Sequence, residues 1–219
     1  MARHCTAAHC WAAYATACIA SLLLAPVVDS RWPAAPLFNG LLLTCAATVV
    51  VYAFSFSADN SSVYDPYWVL APLHLAFVWK AAAPGGFWYY EPRETACMVL
   101  LWAWALRFIV MVPWEGWTRG LAREDWRYNQ IREQLVVYGQ KARTDERTSM
   151  SHPEPQQVQR VAGAGAVDEV LQPTSDLAGS TAYWCVSFVS LHLTPTLLVY
   201  AALCPLGRVV LQVTSRNVM

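Results

Sequence analysis

LFNGLLLTCAATVVVYAF, Leu37 to Phe54, runs for eighteen residues without a charge. Wound as an α-helix at about 1.5 Å per residue, it reaches about 27 Å, close to the roughly 30 Å of hydrocarbon in a bilayer. A helix is also the form in which a lone segment satisfies its own backbone in lipid. Three runs of similar length flank it, Trp11 to Val28, Tyr67 to Ala83 and Arg93 to Val112, and a fifth covers Tyr183 to Leu206, bounded by Pro205 and Gly207. The pattern predicts an all-α fold: a polytopic membrane bundle of about five transmembrane helices, with no soluble core. Arg3 before the first run resembles the start of a signal peptide, but no small-x-small cleavage site follows SLLLAPVVDS, so that run is read as a helix.

Composition agrees. The chain is 56% hydrophobic and 14% charged, where a water-soluble domain carries about a quarter charged residues. Fifteen basic and fifteen acidic residues cancel, so there is no basic footprint for nucleic acid, and the expected partners are the membrane and a lipid or sterol-like small molecule. Cys18, Cys45, Cys97, Cys185 and Cys204 lie in apolar runs, where a thiol acts as a small hydrophobe, which argues against a disulfide framework. The remaining pair belongs to HCTAAHC, His4 to Cys10. It has metal-ligand residue types but no CxxC pair, and no metal site is expected.

Eight of the fifteen basic residues fall between Pro113 and Ala182. The positive-inside rule places this loop, and by counting back the N-terminus, in the cytosol. Within it, LAREDWRYNQIREQLVVY sets Leu121, Tyr128, Ile131, Leu135 and Tyr138 on one helical face, with Arg123, Glu124, Arg127 and Glu133 turned away. The pattern fits an interfacial amphipathic helix anchored by Trp117 and Trp126, and equally a short solvated helix packed on other loops. The segment after it, Lys141 to Ser180, is rich in Pro, Gly, Ser and Gln and poor in bulky apolar residues. Such a composition cannot offset its ordering entropy and reads as a disordered loop insertion. The organisation expected is therefore 1–140 for four spans and the interfacial helix, 141–180 for the insertion, and 181–219 for the fifth span and a short tail.

A charge at membrane depth costs at least about 2.5 to 3.5 kcal/mol and usually faces a partner or a wet cavity. Lys80 lies near the end of its run and is expected to snorkel to the interface, while Arg93 and Glu94 open the fourth helix. Arg107 sits deeper and is the stronger functional candidate. His74 and His192 also fall within runs. A hydrogen bond to a neighbouring helix is the expected use of each, rather than haem ligation.

Three stretches, NSSVYDPYWVLAP (Asn60 to Pro72), EDWRYNQIRE (Glu124 to Glu133) and VSFVSLHLTPTLLVYAALCPL (Val186 to Leu206), resemble the steroid 5-alpha-reductase-like membrane proteins in residues, order and spacing. The resemblance implies a helical bundle in the endoplasmic reticulum or another intracellular membrane. It implies reduction of a carbon-carbon double bond conjugated to a carbonyl, with hydride from NADPH. Tyr64 and Asp65 then take the part of proton donor and its carboxyl partner, and Arg107, Arg127 and Arg132 that of the cations holding the dinucleotide phosphates. On this view the polar NSSVYDPYW is the rim of a wet pocket; read by pattern alone, the same residues make a turn and a helix cap.

Two departures bear on activity. RFIVMV, Arg107 to Val112, is apolar after the arginine, where the resembled family tends to carry a polar, asparagine-bearing segment. The resemblance spans the N-terminal two thirds of that family's domain and stops short of its main cofactor-binding portion, so this chain as it stands is expected to be inactive. Two readings follow: a reductase or a shortened form of one, and a non-catalytic membrane scaffold that binds a lipid or a protein partner.

Overall fold

A computed structural model describes residues 6–83, 88, 91–115, 124–135, 137–138 and 173–212, and no strand occurs among them. Helix α1 is Ala7–Arg31 and α2 is Pro36–Ala58; a 3-10 turn, Ser61–Val63, leads into α3, Tyr64–Ala82, and α4 is Pro92–Glu115. Residues 126–135 form α5. Helix α6, Pro173–Val186, continues through a π-helical segment, Ser187–Leu193, into α7, Thr194–Gln212. The chain is thus helical from Pro173, ahead of the expected boundary near Ser180; the rest of the predicted insertion lies outside the described residues. Ala7–Arg31, Pro36–Ala58 and Ser180–Leu211 are long and apolar enough to cross a membrane.

The ends of these helices follow local chemistry. The Thr6 side chain accepts from the His9 N–H at 3.2 Å and caps α1, and Arg31 complements the dipole in its last turn. Pro36 opens α2, where its missing N–H is not needed. Asp59 ends α2 at φ 50, a left-handed conformation that Asp tolerates better than most L-residues.

The chain forms two compact units. The first joins Met1–Asp125 with Ser187–Met219, and α3 is its central helix, touching α1, α2, α4 and α7. Small and polar residues line the inside: Cys10, Ala13, Ala17 and Ser21 on α1, and Gly40, Thr44, Ala47, Thr48 and Ser55 on α2. Large apolar side chains face out, with Leu23 of α1 74% and Leu100 of α4 70% exposed. Large side chains occur inside as well, Leu43, Val51, Tyr67, Leu75 and Trp79 being buried; lipid tails are as apolar as leucine, so apolarity alone does not sort them, and small residues let the helices approach closely.

Trp79 shows that packing at its tightest. The indole is fully buried, seated between two glycines on different helices. A Cβ on Gly40 would meet its Nε1 at 2.4 Å, and one on Gly207 its Cη2 at 2.9 Å. Any larger residue at either place would push α2 or α7 off the ring.

One charged pair sits in the same end of this unit. Lys80 does not snorkel as expected: its Nζ lies 2.8 Å from Glu94 Oε1, with the side chains 1% and 0% exposed. The contact distance defines an ion pair, although neither Glu94 oxygen has a partner of hydrogen-bond geometry among the described residues. The pair ties the last turn of α3 to the first turn of α4, each charge favourably placed in its helix dipole. Because Glu94 waits inside the bundle, the shortest route for the ammonium is inward rather than out to the interface.

The second unit is Trp126–Val186. Of the stripe predicted for α5, Tyr128 is buried and Ile131 and Leu135 are half-buried, while Tyr138 is exposed, as are Trp126 and Arg127. The Arg132 guanidinium lies 4.0 Å from the ring centre of Tyr183 and 5.7 Å from that of Trp184. Leu121, Arg123 and Trp117 lie outside the described residues.

Candidate functional site: a buried polar vault

The polar stretch ahead of α3 divides at Val63. On its N-terminal side, the Asn60 side chain accepts from the Ser62 N–H at 2.9 Å and caps the 3-10 turn. The Ser61 N–H donates to Glu124 Oε1 at 2.8 Å, and the Asp125 N–H donates to the Ser62 hydroxyl at 2.8 Å. Glu124, expected to face away with its helix's charges, instead latches this turn. Asn60 and Ser62 therefore serve the cap-and-turn role, as does the Ser61 backbone.

From Tyr64 onward the polar groups point into the bundle. The Tyr64 hydroxyl is 2.6 Å from Thr196 Oγ1, which is also 2.8 Å from Thr48 Oγ1 and 2.8 Å from the His192 carbonyl oxygen. His192 is fully buried. Its Nδ1 lies 2.9 Å from the Ser187 carbonyl and its Nε2 3.2 Å from the Ser55 hydroxyl. Because a carbonyl only accepts, Nδ1 carries a proton, and the Ser55 hydroxyl beside Nε2 also reaches the Val51 carbonyl at 3.1 Å. Ser187 Oγ pairs with Ser61 Oγ at 2.9 Å. The π-helical segment makes the His192 contact possible, since a π-turn places residues five apart one above the other.

Three tyrosine rings pack beside this network, Tyr67 stacked on Tyr14 and tilted against Tyr64. Tyr67 lies 5.6 Å from Tyr64 and 6.1 Å from Tyr14, ring centre to ring centre. The Tyr14 hydroxyl donates to the Val63 carbonyl at 2.7 Å. Alanines at 13, 17, 47 and 71 complete the surrounding core. Polar groups buried at membrane depth must be mutually satisfied or reserved for something that enters.

The sequence-derived residues are distributed unevenly around this vault. Tyr64 is inside it. Asp65 follows at the first turn of α3, half-buried, and the Tyr64 hydroxyl bonds Thr196. Arg107 is exposed on α4, one residue before Phe108, whose ring packs on Trp68 at 5.4 Å near the start of α3. Arg127 and Arg132 belong to the second unit. His74, expected to bond a neighbouring helix, lies 2.6 Å from Ser21 Oγ of α1. His9 meets the Phe54 carbonyl at 3.2 Å and Cys10 is buried, so this part of HCTAAHC serves packing.

Residues 51–144 match the family described as "Protein of unknown function (DUF1295)". No curated protein matches the chain, and no solved structure does. The matched region contains Tyr64 and two of the three stretches quoted above, and it stops short of His192 and Thr196.

Sequence reasoning passed over Thr48, Ser55, Tyr67, Ser187 and Thr196. A signal was present. Thr44, Thr48 and Ser55 fall at helical spacing within an otherwise apolar run, and His192 and Thr196 are four apart.

Proposed function

We propose that this chain binds the oxygen end of an apolar, lipid-like ligand in the vault beneath Tyr64, as the membrane-embedded substrate part of a reductase that acts on a conjugated carbonyl. The buried Tyr64, Thr196, Thr48 and His192 network carries the reading, since polar side chains at membrane depth are costly without a use. The resemblance of NSSVYDPYW and EDWRY to steroid 5-alpha-reductase-like proteins supplies the ligand class, and α3 and α4 complete a five-span bundle in an intracellular membrane.

NADPH, which the resemblance implies, needs cations for its phosphates. Arg107 is the one guanidinium of the first unit, among its described residues, at the end of the bundle where α3 begins. Lys80, Arg93 and Arg208 belong to the end where α3 finishes, with Lys80 already paired and Gly207 packed on Trp79. A single exposed guanidinium does not hold a dinucleotide's phosphates, so the described residues of the first unit do not by themselves fit the cofactor, and no hydride step is derived from them. That observation favours a second reading, ligand binding without turnover.

The test uses the full chain in lipid nanodiscs with a radiolabelled sterol-like enone, and follows NADPH absorbance in parallel. Saturable binding that weakens in Thr196→Val, with no NADPH consumed, is the expected result. Absence of saturable binding would reject the proposal, whereas NADPH oxidation that depends on the enone would reject the second reading.

A further inference from the structure

Counting protons in the vault separates its two central tyrosines. Thr196 Oγ1 makes three contacts, to the Tyr64 hydroxyl at 2.6 Å, to the Thr48 hydroxyl at 2.8 Å and to the His192 carbonyl at 2.8 Å. A hydroxyl has one proton to give and two lone pairs to receive. The carbonyl cannot donate, so Thr196 donates there. Only one arrangement then puts a proton in each contact: Tyr64 and Thr48 both donate to Thr196. The Tyr64 proton is committed inside the protein. So is that of Tyr14, which goes to the Val63 carbonyl at 2.7 Å, and so is the Nδ1 proton of His192, which goes to Ser187.

Tyr67 is different. Its ring is fully buried between those of Tyr64 and Tyr14, and its hydroxyl has no hydrogen-bond partner among the described residues. The Thr48 hydroxyl is near enough to interact with it, but the pair falls outside hydrogen-bond geometry. An unpartnered phenol buried at this depth is costly to keep. Phenylalanine would supply the same ring without that cost.

We infer that Tyr67, rather than Tyr64, is the group that donates a hydrogen bond to the ligand's oxygen, and that Tyr64 is a positioning residue holding Thr196 and Thr48 beside it. The vault thereby selects a ligand whose buried end is an acceptor, such as a ketone oxygen. This rests on the proposed ligand-binding function.

Two measurements on the full chain in nanodiscs test it. The first needs no ligand. Tyr67→Phe removes an unpartnered hydroxyl and should leave the melting temperature unchanged or raised, while Tyr64→Phe removes a donor from Thr196 and should lower it. A clear fall for Tyr67→Phe would show that its hydroxyl is already bonded within the protein and would overturn the inference.

The second measurement is the infrared carbonyl stretch of a 13C-carbonyl-labelled sterol-like enone. A donated hydrogen bond lowers that frequency, so the bound ligand should absorb below the same ligand in protein-free nanodiscs. Tyr67→Phe should restore the lipid value and weaken binding about tenfold, equivalent to about 1.4 kcal/mol; Tyr64→Phe should keep the lowered frequency. If Tyr64→Phe restores it and Tyr67→Phe does not, or if wild type binds without any shift, the inference fails while the binding function stands. If wild type does not bind, both fail.

Discussion

Breaking the Lys80 and Glu94 pair is the sharpest test of how this bundle is held. The ammonium and carboxylate lie 2.8 Å apart with side chains 1% and 0% exposed, so neither has water to fall back on. Lys80→Met keeps the length and apolar stem of the side chain and strands Glu94 in the bundle. Removing one partner of a buried pair typically costs about 3 to 5 kcal/mol, because a charge is left uncompensated. Lys80→Met combined with Glu94→Leu removes both charges, and such replacements are often neutral or stabilising. The double variant should therefore recover most of the loss. The assay is reversible unfolding in mixed micelles, followed through tryptophan fluorescence, for which the chain has eleven reporters. A loss below about 1 kcal/mol for the single change would mean that the ends of α3 and α4 are wet. A double variant no better than the single would mean that the pair's geometry, rather than its charge balance, holds those ends together.

Gly40→Ala sets a methyl group against Trp79 Nε1, where the built Cβ comes within 2.4 Å; overpacking of this kind should cost about 1 to 3 kcal/mol in the same unfolding assay, and an unchanged midpoint would refute the packing assigned to Trp79. Ser21→Ala should cost about 1 to 3 kcal/mol by leaving buried His74 without the partner it has at 2.6 Å, and Ser21→Thr should recover part of it; no loss would mean the ring finds another partner. Protease added to sealed microsomes should cut between Pro113 and Ala182 from the cytosolic side, because eight basic residues fall there, and protection until detergent is added would reverse the topology.

The helices were legible because hydrocarbon imposes one backbone solution on any long apolar run, and the five apolar runs are helical over their described residues up to Ala83, which caps α3. Their interior was less so. A tyrosine at the mouth of a span draws notice because its neighbours are polar, whereas Thr48, Ser55 and Thr196 are single small hydroxyls in apolar company. Nothing local shows that residues 148 positions apart, such as Thr48 and Thr196, will meet. Lys80 was misjudged for the same reason: position along a helix tells how far a side chain must reach for water, but not that a carboxylate on another helix is nearer. The His74 reading succeeded because a buried imidazole leaves few alternatives to a bond across the helix interface.

The π-helical segment Ser187–Leu193 also fixes the phase of everything it joins. In an α-helix, residues five apart point in directions about 140° different, so His192 would turn away from the Ser187 carbonyl it now meets at 2.9 Å. The vault consequently depends on a count of residues as well as on their identities. The same residues rewound as an ordinary α-helix would be equally apolar, with Ser187 swung about 140° from His192. Such a chain would pass every test of hydropathy and span length while its polar groups faced the wrong way. In this protein the register of one helix is as much a part of the site as any side chain in it.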